Sequence, residues 1–115
     1  MADQIVVLFT CKSTNEARRI SRVLLERRLA ACVNVVQSPV ESSYRWRGRI
    51  ETAKEFLAIV KTTRKMFPAL EAGIRRLHSY KIPEIIAVPI VEGSSDYLSW
   101  LSESVRSPGK RRRMS

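Results

Sequence analysis

The sequence predicts an α+β fold in which two helices cover one antiparallel sheet. Its 115 residues, of which 44% are hydrophobic, suit one domain with its own core and are too few for two domains. Short apolar runs alternate along the chain with segments of helical periodicity. The resulting order, β-α-β-β-α-β with a short closing helix, specifies a ferredoxin-like sandwich.

The first strand is predicted at Gln4 to Thr10, and the helix after it is predicted to end near Arg28. Ser13 and Glu16 have the spacing of a capping box, in which the serine accepts a backbone N–H and the glutamate reaches back. Beyond this box, apolar residues recur at helical spacing while arginines fall mainly on the other side. The first helix is therefore expected to be amphipathic.

A long hairpin is predicted after the first helix. Its first strand, the second strand of the chain, starts at Ala31 or Cys32, is interrupted around Ser38-Pro39 and resumes by Glu41 to Tyr44. Because proline lacks the donor that a ladder needs, the interruption is expected at a sheet edge or a bulge. The chain then turns and enters a much longer strand.

The turn is predicted at Trp46 to Gly48, and the third strand at Arg49 to Thr63. Both faces of this strand are largely apolar, one with Phe56, Ala58 and Val60 and the other with Leu57, Ile59 and Lys61. A strand of this kind is covered on both sides. We expect helices of the chain on one face and another subunit on the other.

The second helix is predicted to begin near Pro68, which suits a first helical turn. Beyond His78 the chain is extended, and the fourth strand is predicted at Glu84 to Val91. A short helix around Trp100 closes the domain. The second face of the sheet is expected to lack a helix. This face and the overlong hairpin then leave apolar edges, which we expect a neighbouring subunit to cover.

The net charge of the chain is shared between a predicted domain and a predicted C-terminal tail. The formal net charge is +10, of which Arg106, Lys110 and the run Arg111 to Arg113 contribute +5 without an acid. We therefore expect one domain at residues 1–105 and a basic, disordered tail at residues 106–115. Such a tail binds nucleic acid by counterion release without reading its sequence, so any nucleic-acid contact is expected through the tail.

The longest apolar runs, such as Ile85 to Val91, are far shorter than the roughly 18 residues that cross a bilayer. No charged start followed by an apolar stretch marks a signal peptide. A cytoplasmic protein without membrane contact is expected. Cys11 and Cys32 form neither a zinc spacing nor a disulfide framework, and they are expected to be reduced thiols.

Few residues of the chain suit catalysis. His78 is the single histidine, and no Gly-x-Ser-x-Gly motif is present on which a serine triad could be built. The four glycines lie far apart, which leaves no glycine-rich loop for a phosphate. These observations predict a protein that is not an enzyme.

Five segments carry a more specific pattern: CVNVV, SYRWRGRIE, EFLAIVKT, LHSYKIPEI and DYLSWL. Together they resemble the CutA family of divalent-cation-tolerance proteins, over about Ile5 to Leu101. The resemblance implies a homotrimer of ferredoxin-like subunits whose long hairpins cross onto neighbouring sheets. It also implies a non-enzymatic role in divalent ion tolerance and the response to metal ions, with no required cofactor.

Copper is associated in this family with the histidine of the segment that reads Leu77 to Glu84 here, and with a cysteine in the first strand. Phe9 stands at that cysteine position, and Leu77 replaces a second histidine. Ser79 replaces the proline that usually precedes the tyrosine. The donor set that the resemblance implies is therefore incomplete in this chain.

Cys11 is a substitute donor, because it lies two residues beyond Phe9 and shares its side of the strand. We expect any copper or other divalent metal to bind weakly, through His78 with Cys11 or Glu84. The alternative is that His78 is a hydrogen-bonded residue at a subunit boundary.

The resemblance further implies an inter-subunit cleft at Tyr44, Trp46, Lys61 and Tyr80. A lysine that ends an apolar run costs desolvation unless it pairs, either with a carboxylate such as Glu84 or with an anion. Two alternative functions follow. One is a PII-like signalling trimer that binds a small anionic ligand in this cleft, and the other is a nucleic-acid-associated protein that acts through its tail.

Overall fold

The computed structural model describes residues 3–105, and the predicted tail at 106–115 lies outside them. The order of its helices and strands confirms the predicted α+β class. Within these residues, no helix has the length and hydropathy needed to span a membrane. The elements are β1 (Gln4–Cys11), α1 (Thr14–Glu26), β2 (Cys32–Val35), β3 (Val40–Trp46), β4 (Arg49–Thr63), α2 (Phe67–Leu77), β5 (Ile85–Pro89) and α3 (Ser95–Ser104).

The strands form one antiparallel sheet in the order β2-β4-β1-β5, and β3 pairs with the remaining half of β4. The C-terminal half of β4 pairs with β1, from Phe56 opposite Cys11 to Thr63 opposite Gln4. Its N-terminal half continues past the end of β1 and pairs with β3. The β3–β4 hairpin therefore extends as an arm, and the molecule measures 54 × 28 × 25 Å.

The arm ends in a two-residue turn at Arg47 and Gly48. Both residues have positive φ, 53° at Arg47 and 78° at Gly48. This is the geometry of a type I′ turn, whose twist matches that of the two flanking strands. The turn pairs Trp46 with Arg49, and this register places Tyr44 and Trp46 on the same face of the arm.

Helix α1 begins with the predicted serine cap, because Ser13 Oγ accepts a hydrogen bond from the Glu16 amide at 3.1 Å. The Glu16 carboxylate does not reach back to Ser13 as a capping box requires. It accepts instead from the backbone amides of Lys12 and Ser79. The helix ends at Glu26, two residues before the predicted end, and Arg28 turns the chain with a φ of 60°.

The core lies between the sheet and helices α1 and α2. Alternate residues of β1, including Val7 and Phe9, are fully buried against apolar residues of both helices. The helices pack closely at Gly73, where an added Cβ would lie 3.6 Å from methyl carbons of Leu24 and Leu29. This layer positions the end of β1, the first turn of α1 and the last turn of α2 beside one another.

Helix α3 packs against β1 and β4 on the opposite face of the sheet. Gln4 Nε2 donates a hydrogen bond to Ser102 Oγ at 3.0 Å, and Leu101 is fully buried. The expectation that this face lacks a helix is therefore wrong. The sequence pattern predicted the helix but did not predict the side of the sheet on which it folds back.

Helix α3 leaves part of this second face uncovered. The strand register places Ile86 beside Leu8 and Val88 beside Val6, on the face that α3 occupies at its other end. Ile86 is 48% exposed and Val88 is 46% exposed. The apolar face of the arm is similarly open, because Tyr44 and Trp46 are 45% and 44% exposed.

Candidate functional site

The residues with metal-ligand chemistry meet where β1, α1 and α2 converge. Cys11 is the last residue of β1, Glu16 lies in the first turn of α1, and His78 caps the C-terminus of α2. Their ligand atoms all lie within 4.8 Å of one another, and all three residues are buried. We call these three residues the cluster.

His78 is held through both of its ring nitrogens. The Tyr80 amide donates to Nδ1 at 3.0 Å, so Nδ1 carries no proton in this arrangement. The ring proton is therefore on Nε2, which lies 2.7 Å from the Thr10 carbonyl oxygen and donates to it. Cys11 Sγ lies 3.8 Å from the same nitrogen.

Glu16 joins α1 to the segment that follows α2. One carboxylate oxygen accepts from the Ser79 amide at 2.7 Å, and the other accepts from the Lys12 amide at 3.4 Å. Burial by itself raises the pKa of Glu16, but these hydrogen bonds and the nearby imidazole lower it further than burial raises it. The carboxylate is thus the favoured form in the cluster.

Cys11 is fully buried between the strand and the helices. Burial, with a smaller contribution from the Glu16 charge, raises the pKa of its thiol to about 12. Cys11 is therefore a protonated thiol at neutral pH. The thiolate is the form that binds metals and attacks electrophiles, so the protonated side chain is unreactive.

A groove adjoins the cluster, between the β3–β4 arm and the segment after α2. Its volume is about 940 Å³. The residues that carry its chemistry are the aromatics Tyr44, Trp46 and Tyr80, the cations Arg47 and Lys81, and the carboxylates Glu55 and Glu84. Opposite charges and aromatic rings therefore line the same surface.

Tyr80 connects the cluster to the groove. Its ring centroid lies 4.7 Å from that of His78. Burial raises the pKa of the Tyr80 phenol, and a hydrogen bond to Glu55 raises it further. Glu55 also accepts from Thr10 Oγ1 at 3.4 Å. The phenol and the carboxylate thus form a donor and acceptor pair on the wall of the groove.

Known proteins share this arrangement of strands and helices. The family model described as CutA1 divalent ion tolerance protein matches residues 5–104. The chain belongs to this family. The match covers every helix and strand beyond the first residue of β1, and it confirms the resemblance seen in the sequence.

The relatives agree with this assignment. The divalent-cation tolerance protein CutA of Thermus thermophilus is 48% identical over 99 residues, which are 86% of this chain and 95% of that protein. A solved structure of Cut A1 from Thermus thermophilus has a TM-score of 0.87 at 47% identity, covering 90% of this chain and 99% of that one. The crystal structure of CutA1 from Oryza sativa has a TM-score of 0.86 at 38% identity, covering 91% and 95%.

The residues that the CutA resemblance assigned to a metal fall into two places. His78 and Cys11 lie together in the cluster, whereas Glu84 lines the groove. Glu16 is the third member of the cluster, and sequence reasoning assigned it only to a capping box. Its spacing placed it correctly at the start of α1, but no local signal indicated that Ser79 would meet it there.

The residues assigned to a cleft are also divided in this chain. Tyr44, Trp46 and Tyr80 line the groove, whereas Lys61 lies six residues along β4 from Glu55, or about 20 Å away for an extended strand. Lys61 Nζ donates a hydrogen bond to Asn34 Oδ1 on the neighbouring strand β2. Within the described residues, its partner is thus an amide oxygen.

Proposed function

We propose that this protein contributes to the tolerance of divalent metal ions as a non-enzymatic homotrimer. The observation that carries the proposal is membership of the CutA1 family, whose relative in Thermus thermophilus is named for divalent-cation tolerance. The geometry supports a binding or scaffolding role, because the ring nitrogens of His78 and the carboxylate oxygens of Glu16 are occupied by backbone hydrogen bonds. A catalyst would instead need a nucleophile or base that reaches a substrate.

The uncovered face of the sheet supports the homotrimer. Ile86 and Val88 leave nearly half of their surface in solvent, and Ile50 at the end of the arm is 71% exposed. Large exposed apolar patches on folded chains generally mark interaction surfaces. A second and a third copy of the chain would bury this face and support an arm that otherwise extends past its own sheet.

The groove lies beside this face, so we propose that it is completed at a subunit boundary. Its aromatic side chains suit an interface, because Tyr and Trp bury a large area while keeping one polar group available. Its lining contains two carboxylates, Glu55 and Glu84, and two cations, Arg47 and Lys81. This balance of charge does not favour the small anionic ligand of a PII-like signalling protein.

Metal contact at the cluster is expected to be weak. His78 and Glu16 already accept or donate backbone hydrogen bonds, and Cys11 is a protonated thiol. An ion must compete with these bonds and displace a proton before it is coordinated. We therefore expect copper or zinc to bind no tighter than about micromolar.

Removal of the gene from its host tests the proposal. Growth is measured against increasing concentrations of copper, zinc and cadmium salts. The proposal expects the deleted strain to stop growing at a lower metal concentration, and expects the wild-type gene to restore tolerance. Equal metal sensitivity of the deleted and parental strains would contradict it.

Two variants refine this test. Val88→Asp places a charge on the uncovered sheet face and is expected to fail to restore tolerance, because it prevents assembly. Ala72→Glu is the matched control, because this residue is exposed on α2, away from the uncovered sheet face. The control is expected to restore tolerance fully.

A further inference from the structure

We propose that Glu16 and His78 form a hydrogen-bonded clasp, which fastens the segment after α2 and positions Tyr80 in the groove. In this fold the clasp competes with metal ions for the donors of the cluster. The inference goes beyond metal tolerance, because it assigns a role to the cluster that does not depend on any ion. Glu16 and His78 act here as positioning residues for Tyr80.

Two consecutive amides carry the clasp. The Ser79 amide donates to Glu16 at 2.7 Å, and the Tyr80 amide donates to His78 Nδ1 at 3.0 Å. Glu16 is anchored in the capped first turn of α1, and the His78 ring is anchored to the Thr10 carbonyl of β1. The segment is therefore tied to two elements that the core already fixes.

The direction of the chain follows from these bonds. Once the amides of Ser79 and Tyr80 are held, the Tyr80 ring lies against the imidazole at 4.7 Å and its hydroxyl meets Glu55. Lys81, Ile82 and Glu84 follow immediately and line the same groove. Loss of the clasp would free one wall of the groove without disturbing the opposite wall on the arm.

The same bonds explain why metal is expected to bind these donors only weakly. An imidazole coordinates through a nitrogen lone pair, but Nδ1 uses its lone pair for the Tyr80 amide and Nε2 carries the proton donated to Thr10. Each Glu16 oxygen accepts a backbone amide. An ion at this position would have to compete with these partly buried amides for the same acceptors, which is unfavourable.

The first experiment measures amide hydrogen exchange at Ser79 and Tyr80 by nuclear magnetic resonance in the intact protein. Glu16→Ala is expected to accelerate exchange at Ser79 at least tenfold, and His78→Ala is expected to do the same at Tyr80. Cys11→Ala is the control, because this residue lies in the cluster but accepts neither amide. It is expected to leave both amides protected.

Conservative replacements separate the clasp from a general loss of packing. His78→Asn places an amide oxygen close to the position of Nδ1, and Glu16→Gln keeps one acceptor oxygen. Each is expected to restore at least half of the lost protection at the amide it faces. Unchanged protection in both alanine variants, or loss of protection in Cys11→Ala alone, would overturn the proposal.

A second experiment needs no variant. His78 is the single histidine, so the imidazole ¹⁵N resonances of the wild-type protein belong to it without ambiguity. The clasp requires the proton on Nε2 and an unprotonated Nδ1. The opposite tautomer would overturn the proposal.

A third experiment adds Zn²⁺ or Cu⁺ to the same sample and compares the His78 resonances with and without metal. Equimolar metal is expected to leave the His78 resonances in place. Weak binding that exposes the amides of Ser79 and Tyr80 also supports the clasp, because the ion then competes with it. Tight, stoichiometric binding with both amides still protected would overturn the clasp while leaving a role in metal tolerance intact.

Discussion

Cys11 links the chemistry of the cluster to the stability of the fold. Its thiol pKa is raised from 9.0 to about 12, mainly by burial. Between these values an unfolded chain ionises while the folded chain keeps its proton, so the folded state binds more protons and loses stability as pH rises. Below about pH 9 both forms are protonated and the residue contributes no pH dependence.

We therefore expect the free energy of unfolding to fall more steeply above pH 9 in the wild-type protein than in Cys11→Ala. Urea unfolding at several pH values between 8 and 11, at one protein concentration, measures the difference. Other alkaline groups affect both proteins equally, so the comparison isolates Cys11. Parallel pH profiles for the two proteins would show that the thiol ionises freely in the folded state.

At the residue scale the sequence predicted what depends on local spacing. Alternation along β1 correctly placed Cys11 on the side of Phe9, and Ser13 was correctly predicted as a helix cap. The bond between Glu16 and Ser79 joins residues 63 positions apart. The periodicity of the sequence does not predict such a contact, because the contact depends on how the end of α2 packs beside the start of α1.

The β3–β4 arm is the element most directly specified by a few residues. Its turn needs positive φ at two successive positions, and glycine meets this need at the second one without a steric cost. The first position is occupied by Arg47, for which positive φ carries a small conformational penalty. The arm therefore contains one favourable and one unfavourable residue for a type I′ turn.

Gly48→Ala is expected to lower the free energy of unfolding by about 1 to 2 kcal/mol, because alanine is strained at this φ. Apart from the two neighbouring residues in the chain, no atom lies within 4 Å of the added Cβ, so the loss arises from the backbone and not from a clash. Arg47→Asn is the matched change and is expected to raise stability, because Asn-Gly is the favoured pair for this turn. Urea unfolding measures both, and equal stability of all three proteins would argue against the type I′ geometry.

At the element scale the sequence predicted the strands well because their signals are local. The limits of β4 were predicted correctly from its apolar run and the glycine before it. The position of α3 was not predictable in the same way. A helix of only ten residues can pack on either side of a sheet, and the choice depends on the long-range contact of α3 with β1 and β4.

At the scale of the whole molecule, the described residues 3–105 are electrically asymmetric. The helical layer at 12–28 and 64–77 contains ten Lys and Arg against three Asp and Glu, a net charge of +7. The other described residues contain six Lys and Arg against eight Asp and Glu, a net charge of −2. The positive charge of the domain is thus concentrated on the side opposite the uncovered sheet face.

Deletion of Lys110 to Ser115 is expected to lower, but not abolish, the salt concentration that elutes the protein from a heparin column. The helical layer keeps its charge in the truncated chain, so part of the counterion-release contribution remains. The melting temperature is expected to change little, since so dense a run of charge cannot be buried. Complete loss of retention would place all of the polyanion affinity in the tail, and loss of folding would show that the tail docks on the domain.

Assembly into a trimer is the central claim at this scale. We propose that neighbouring copies cover the uncovered apolar face, support the extended arm and complete the groove beside it. Trp46→Ala is expected to loosen the trimer, because truncation of a buried interface aromatic typically costs about 2 kcal/mol or more. Val88→Asp is expected to dissociate it, whereas Ala72→Glu on the helical layer is expected to leave it intact.

Sedimentation equilibrium of the wild-type chain at micromolar concentration measures this claim directly. Three chains of 13.2 kDa predict a single species of about 40 kDa that does not dissociate on dilution. A stable monomer of 13.2 kDa would contradict the account, because the apolar face would then be exposed in solution and the groove would have no second subunit.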